Sequence, residues 1–330
     1  MLVLAEPQAL QTLRHQGFDQ YQRWQPRIHE AVPVRIIDID EASLEKVGQW
    51  PWPRNKLAQL VEQLGAQGAV AIGFDVVFAE PDRTSPGRVS AQWALSPELA
   101  RSLQALPDND ATFAQAIAAH DVVLGFALRS DAAVPVSQPA MAQAPYRYVW
   151  LGEPSPQVLH GFSTAVQPLP ELQASAKGNG ALTFMPDGDG VVRRVPMALA
   201  LAGAPVPSLS AELLRVAQGV DNHILRNAEG PVPALAQVRI GQTTVPTNAQ
   251  GEMWLHYTTE QPARYVPAWR VLAGEADPAL LEGHIVLVGS SAQGLMDLRF
   301  NALGRVMPGV EAHAQALEQV LSGYFLNRPN

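Results

Sequence analysis

Three apolar runs that end in acids or hydroxyls limit the folds open to this chain. They are residues 34–40 (VRIIDID), 69–75 (AVAIGFD) and 284–291 (HIVLVGSS). Runs so rich in β-branched residues suit strands covered on both faces, as in a parallel sheet. Between the first two, Leu57, Leu60, Val61 and Leu64 recur at helical spacing, after Pro53 and before Gly65. Proline ahead of a helix and glycine behind it are its start and stop signals. Strand, helix and strand within about forty residues make a βαβ unit, so these strands run parallel. A second helical face (Phe113, Ala116, Ile117) leads into a third such strand over 121–126.

The flanking and middle segments read differently. Glu6 to Arg27 carries Leu10, Leu13, Tyr21 and Trp24 at helical spacing, interrupted by Gly17. Residues 180–184 and 191–196 bracket Asp187-Gly188-Asp189-Gly190 and predict an antiparallel hairpin with an Asp-Gly turn. A helix capped at Ser210, short strands near 238–240 and 253–257, and a last helix from Pro308-Gly309 to Gly323 complete the chain. The expected class is α/β: a mixed sheet with a parallel core, an antiparallel hairpin and helices on its faces. We expect one domain over 1–330, with a helical lead-in at 1–30 and an α/β core at 31–323. Many of the prolines fall near 81–107 and 135–170, which read as surface excursions.

Composition removes several function classes. Acidic residues outnumber basic ones 31 to 23, for a net charge of -8, and no basic run occurs. Nucleic acid is therefore excluded as a partner, because phosphate binding needs clustered Lys and Arg. The absence of cysteine excludes disulfides, thiolate metal sites and a cysteine nucleophile. Met1 to Ala5 is too short for a signal-peptide core, and no stretch reaches the ~20 apolar residues that span a bilayer. The expectation is a soluble piece of a larger parent.

The carboxyl ends of parallel strands share one edge, where ligands usually bind. Asp38, Asp40, Asp75, Ser290 and Ser291 finish strands there, with Asp297 just beyond. Such groups could hold a cation or the amines and hydroxyls of a small ligand. Equally, they could cap helices and fix loops by bonding backbone N–H groups. The other motifs fail on specific residues. The twelfth position of a calcium loop counted from Asp187 is Ala198, and Gln293 replaces the glycine that a nucleophile elbow needs after Ser291. No phosphate-cradling or dinucleotide-binding glycine motif occurs, and no cofactor or metal is expected. Trp50 and Trp52 read as core plugs, and His313 as a hydrogen-bonded, half-buried histidine.

Six segments together resemble the type-2 CHASE domain, a sensing domain associated with cyclases and histidine kinases. They are 34–44 (VRIIDIDEASL), 50–54 (WPWPR), 65–78 (GAQGAVAIGFDVVF), 186–194 (PDGDGVVRR), 285–293 (IVLVGSSAQ) and 307–314 (MPGVEAHA). Their order and spacing agree from about residue 30 to residue 323. The resemblance implies a non-catalytic sensory domain in the periplasmic or extracellular part of an inner-membrane receptor. Membrane helices would flank it, with 324–330 approaching the second. It also implies a cytoplasmic output module: a nucleotide cyclase, a diguanylate cyclase, a histidine kinase or a serine/threonine kinase. The expected partners are a small-molecule or protein stimulus of unknown identity, the membrane, and a second copy of the chain. Two other readings stay open on the residues alone: a periplasmic solute-binding protein, and a serine hydrolase using Ser290 or Ser291.

Overall fold

The computed structural model describes residues 8–130, 146–295 and 297–326. The expectations for 1–7, 135–145 and 327–330 lie outside the described residues. The principal sheet uses seven strands: β1 (Val34–Asp38), β2 (Ala71–Phe74), β3 (Val122–Arg129), β4 (Thr164–Val166), β5 (Gly178–Ala181), β6 (Tyr265–Pro267) and β7 (Ile285–Gly289). Six of them run parallel in the order β6-β1-β7-β2-β3-β5, while β4 pairs antiparallel with the far end of β3. Register sets Asp38 opposite Gly289, Val288 opposite Phe74, and Phe74 opposite Leu124. The strand ends therefore line up along one edge.

Both faces of this sheet are covered, which is why its strands are apolar at successive positions. Ile37, Ile72 and Val286 point into one core; Ile36, Ala71 and Leu287 point into the other. Five helices frame the strands: α1 (Gln8–Trp24), α2 (Arg54–Ala66), α3 (Asn109–Ala119), α4 (Leu209–Ala217) and α5 (Gly309–Ser322). Helices α2 and α3 cover the first face, where Leu57, Leu60, Val61, Leu64, Phe113 and Ile117 are fully buried. Each such side chain contributes about 1.5–3 kcal/mol on leaving water. Helices α4 and α5 cover the second face and press close to the backbone. A Cβ on Gly73 would lie 2.5 Å from Leu213, and one on Gly289 would lie 2.6 Å from Val310. Trp52 is buried in the first core and donates its indole N–H to Gly48 O, 2.7 Å away.

The expected pairing of 180–184 with 191–196 does not form. The Asp-Gly turn is present, with Asp187 N donating to Val191 O at 3.0 Å and Gly190 N to Asp187 O at 2.8 Å. The flanking segments nevertheless take other partners. β5 completes the parallel edge of β3, Val191–Val192 pairs with Leu298–Asn301, and Arg194–Pro196 pairs with Glu252–Trp254. Asp187 and Asp189 fold back onto Arg193, drawing the chain away from β5. An antiparallel hairpin follows directly, between Ala198–Leu201 and Ala204–Pro207. Two further details differ. The cap of α4 is Ser208, whose hydroxyl accepts from Ala211 N, rather than Ser210. The 81–107 stretch winds two short helices, Pro86–Gln92 and Pro97–Gln104, instead of remaining irregular.

Helix α1 is amphipathic in an unusual sense. Most of its apolar residues face outward, with Leu13 65%, Tyr21 70% and Trp24 72% exposed, while Asp19 and Gln22 are buried and Phe18 packs against the core. Gln22 donates to Leu255 O and accepts from Tyr257 N, so polar contacts dock this helix. No described helix is long and apolar enough to cross a membrane.

Candidate functional site

The carboxyl edge of the sheet carries the residues that the sequence nominates, in two groups flanking β7. The first group is tied into the fold. The Asp38 carboxylate accepts from Ser291 N at 2.9 Å and from Ser291 Oγ at 2.7 Å. Ser290 Oγ donates to Ile39 O at 2.9 Å and accepts from Ala292 N at 3.1 Å, locking the turn that leaves β7. Asp40 caps the short helix Glu41–Val47 by accepting from Ser43 N at 2.8 Å. Burial pushes the Asp38 carboxyl above its ordinary range, the Ser291 bonds oppose this, and the Asp40 charge adds to it.

The second group is Asp75 and Asp297. Asp75 leaves β2 with its N–H donated to Val288 O, one residue before the β7 turn. Its carboxyl is pushed up to about 7, first by burial and then by the Asp297 charge, with Arg299 pulling the other way. Asp297 pairs with Arg299 at 2.7 Å and lies against Gly309 at the start of α5. Its backbone carbonyl accepts from Gly309 N at 2.8 Å. The two groups sit on strands either side of β7, about 10 Å apart by strand spacing.

These geometries carry distinct chemistry. Asp38, Asp40 and Ser290 spend their side-chain bonds on backbone groups and Ser291, which is the capping and loop-fixing alternative. Asp75 and Asp297 hold two carboxyl groups near one guanidinium, an arrangement able to receive an amine or hydroxyl. Among the described residues no group of three or more His, Cys, Asp or Glu could hold a metal ion. Neither serine has a histidine among its recorded partners: the hydroxyls go to Ile39 O and Asp38. A Ser–His pair does occur elsewhere, Ser210 Oγ to His313 Nδ1 at 3.0 Å, but both residues are fully buried. His313, stacked near Phe184, is pushed down to about 3 by burial, with Arg299 adding to the effect.

Other polar groups give no local sequence signal. Arg264, fully buried, reaches Glu318 at 2.6 Å, Glu311 at 2.9 Å and Thr258 at 2.8 Å. Tyr265 donates to Glu311 at 2.6 Å, and Arg27 donates to Glu318 at 3.2 Å. Glu311 and Glu318 stand seven residues apart on α5, two turns along one face, and that face reads as solvated until its cations are located. Two cavities, of about 1290 Å³ and 440 Å³, lie away from the strand ends, and none of Asp38, Asp40, Asp75 or Asp297 lines either.

Helices on both faces of the mixed sheet, with polar strand ends along one edge, make a three-layered α/β domain. The family profile described as CHASE2 domain matches residues 1–330, the whole chain. The chain belongs to the CHASE2 family, which comprises extracellular sensory domains of signalling receptors and is not catalytic. Searches of curated proteins and of solved structures each found no match.

Proposed function

We propose that this chain is the extracytoplasmic input domain of an inner-membrane receptor, relaying a stimulus to a cytoplasmic cyclase, diguanylate cyclase or kinase. The observation that carries this reading is the link between Arg27, just beyond α1, and Glu318 of α5, 3.2 Å apart and buried. Arg27 also reaches Gln315 O of α5. The segment leaving α1 and the last helix therefore share one buried ionic cluster with Arg264 and Glu311. A stimulus that favours one packing of this cluster moves both helices, and its effect is bounded by its differential affinity for the two states.

In this reading the domain lies in the periplasm, membrane helices flank it, and two copies act together because cyclase and kinase outputs work in pairs. Of the strand-end residues, Asp75 and Asp297 are the pair proposed to meet a ligand's amine or hydroxyl groups. The test is output activity in membranes carrying the full-length receptor. Arg27→Lys and Glu318→Gln should shift basal output in the same direction, with the domain still folded by circular dichroism. Unchanged output in both variants overturns the relay.

A further inference from the structure

We propose that the outward face of α1 docks on the surface of an anionic lipid bilayer. Leu10, Leu13, Gly17, Tyr21 and Trp24 follow one another at steps of three or four residues, so they form one stripe along the helix. The buried Asp19 and Gln22 occupy the opposite face, which is bonded to the domain through Arg193 and Tyr257. The middle of the stripe is open, since a Cβ on Gly17 meets no atom within 4 Å. Just past the helix, Ile28 adds a side chain that is 83% exposed. A contiguous apolar surface of this kind marks contact with a protein or a membrane.

Three observations choose the bilayer. The first is charge. The exposed charged residues of α1 are Arg14 and Arg23, while its one acid, Asp19, is buried against Arg193, in a chain of net charge -8. At 3.6 residues per turn these two arginines flank the stripe on opposite sides. Their apolar stems can lie along a bilayer while the guanidinium groups reach its phosphates. The second is the aromatic pair at the end of the stripe. Tyr21 and Trp24 meet edge to face with ring centroids 5.8 Å apart, and rings with an apolar body and one polar tip settle at headgroup level. The third is what a second copy would meet. A parallel pair of α1 helices sets Arg14 beside Arg14, and an antiparallel pair brings no carboxylate to either arginine, because α1 exposes none. Lipid headgroups supply an anion to each.

This contact does not rest on the sensory reading. Where that reading holds, the contact lays the helix that leads into Arg27 along the membrane surface rather than across it.

The test is co-sedimentation of the whole chain with vesicles of phosphatidylglycerol mixed with phosphatidylcholine, and with vesicles of phosphatidylcholine alone. The expected result is binding to the mixed vesicles, weaker on phosphatidylcholine alone. The double variant Leu13→Ser, Trp24→Ser should weaken it at least about tenfold, and Arg23→Gln severalfold, at unchanged circular dichroism because all three side chains are exposed. Lipid brominated on its acyl chains, added to the mixed vesicles, quenches tryptophans that reach it. Trp24→Phe should abolish most of that quenching, whereas Trp93→Phe, which removes the other strongly exposed tryptophan, should leave it. Failure to bind the mixed vesicles, equal binding to both kinds, or quenching kept in full by Trp24→Phe overturns the proposal. A dimer in sedimentation velocity that the double variant dissolves, with no vesicle binding, overturns it in favour of a second copy. Both readouts use the isolated chain, so either failure leaves the receptor-output test of the relay standing.

Discussion

Arg193 and Asp19 meet in a bidentate pair, Nε to Oδ1 at 2.8 Å and Nη2 to Oδ2 at 2.7 Å, across 174 positions of sequence. The same guanidinium reaches Asp187 at 2.8 Å and Asp189 at 2.7 Å, and its side chain is 1% exposed. This one arginine thus joins α1 to the turn between β5 and the strands beyond. Asp19→Ala leaves Arg193 paired with Asp187 and Asp189 but removes two buried charge-assisted bonds to α1. It should therefore lower the unfolding free energy by about 2 kcal/mol in urea titrations. A loss below about 0.5 kcal/mol, the scale of a surface pair, would show that α1 is held by other contacts.

Asp75 should give the domain a stability that falls as pH rises. In the folded chain its carboxyl holds a proton up to about 7, whereas an unperturbed aspartate releases it near 3.8. Folding therefore takes up a proton between those values. The contribution is complete below pH 3.8 and lost as pH climbs through about 7. Asp75→Asn mimics the protonated form. Its margin over the parent should widen by about 2 kcal/mol between pH 5 and pH 8.5, a figure discounted for residual solvent contact. Parallel pH profiles for the two proteins would contradict this account.

The strands β1, β2 and β7 and the helices α2 and α5 were readable from the chain because each follows a single local period. So was the placement of Asp38, Asp75 and Ser290 on one edge, which follows from parallel strands alone. The route of 178–196 was not readable. A turn signal fixes only the turn, and β5 instead joined β3 through a partner more than fifty residues away in sequence. The buried faces of α1 and α5 were hidden for a related reason. Asp19, Gln22, Glu311 and Glu318 read as solvated until Arg193, Leu255, Tyr257 and Arg264 are brought against them. His313 is fully buried rather than half-buried because α4 and Phe184 close over it.

His313 opposes Asp75 in pH dependence. Burial holds the imidazole neutral down to about 3, while an unfolded histidine takes up its proton near 6.5. The unfolded chain thus gains a proton first, and stability from this site is present above pH 6.5 and lost as pH falls toward 3. His313→Gln retains a side-chain partner for Ser210 and removes the titration. Between pH 6 and 4.5 the parent should lose about 1.4 kcal/mol per pH unit more than the variant. Comparing the two slopes cancels the carboxylates common to both, and equal slopes would place the histidine outside the acid response.

The strand ends divide into a half tied into the fold and a half proposed to meet a ligand, and two substitutions should separate them. Asp38→Ala deprives Ser291 N and Ser291 Oγ of their acceptor at the mouth of β7. Losing two bonds to a buried carboxylate should cost about 2–3 kcal/mol. Asp297 is 40% exposed and pairs with a similarly exposed Arg299, so Asp297→Asn should cost under about 1 kcal/mol. A thermal-shift panel of amines, amino acids and sugars reads the other property. Any compound that stabilises the parent should still stabilise Asp38→Ala by a comparable increment, and should fail with Asp297→Asn. The reverse pattern would move the ligand contact to the β1 side of the edge. It would also make Asp38 a recognition group whose bonds to Ser291 hold it ready rather than hold the turn.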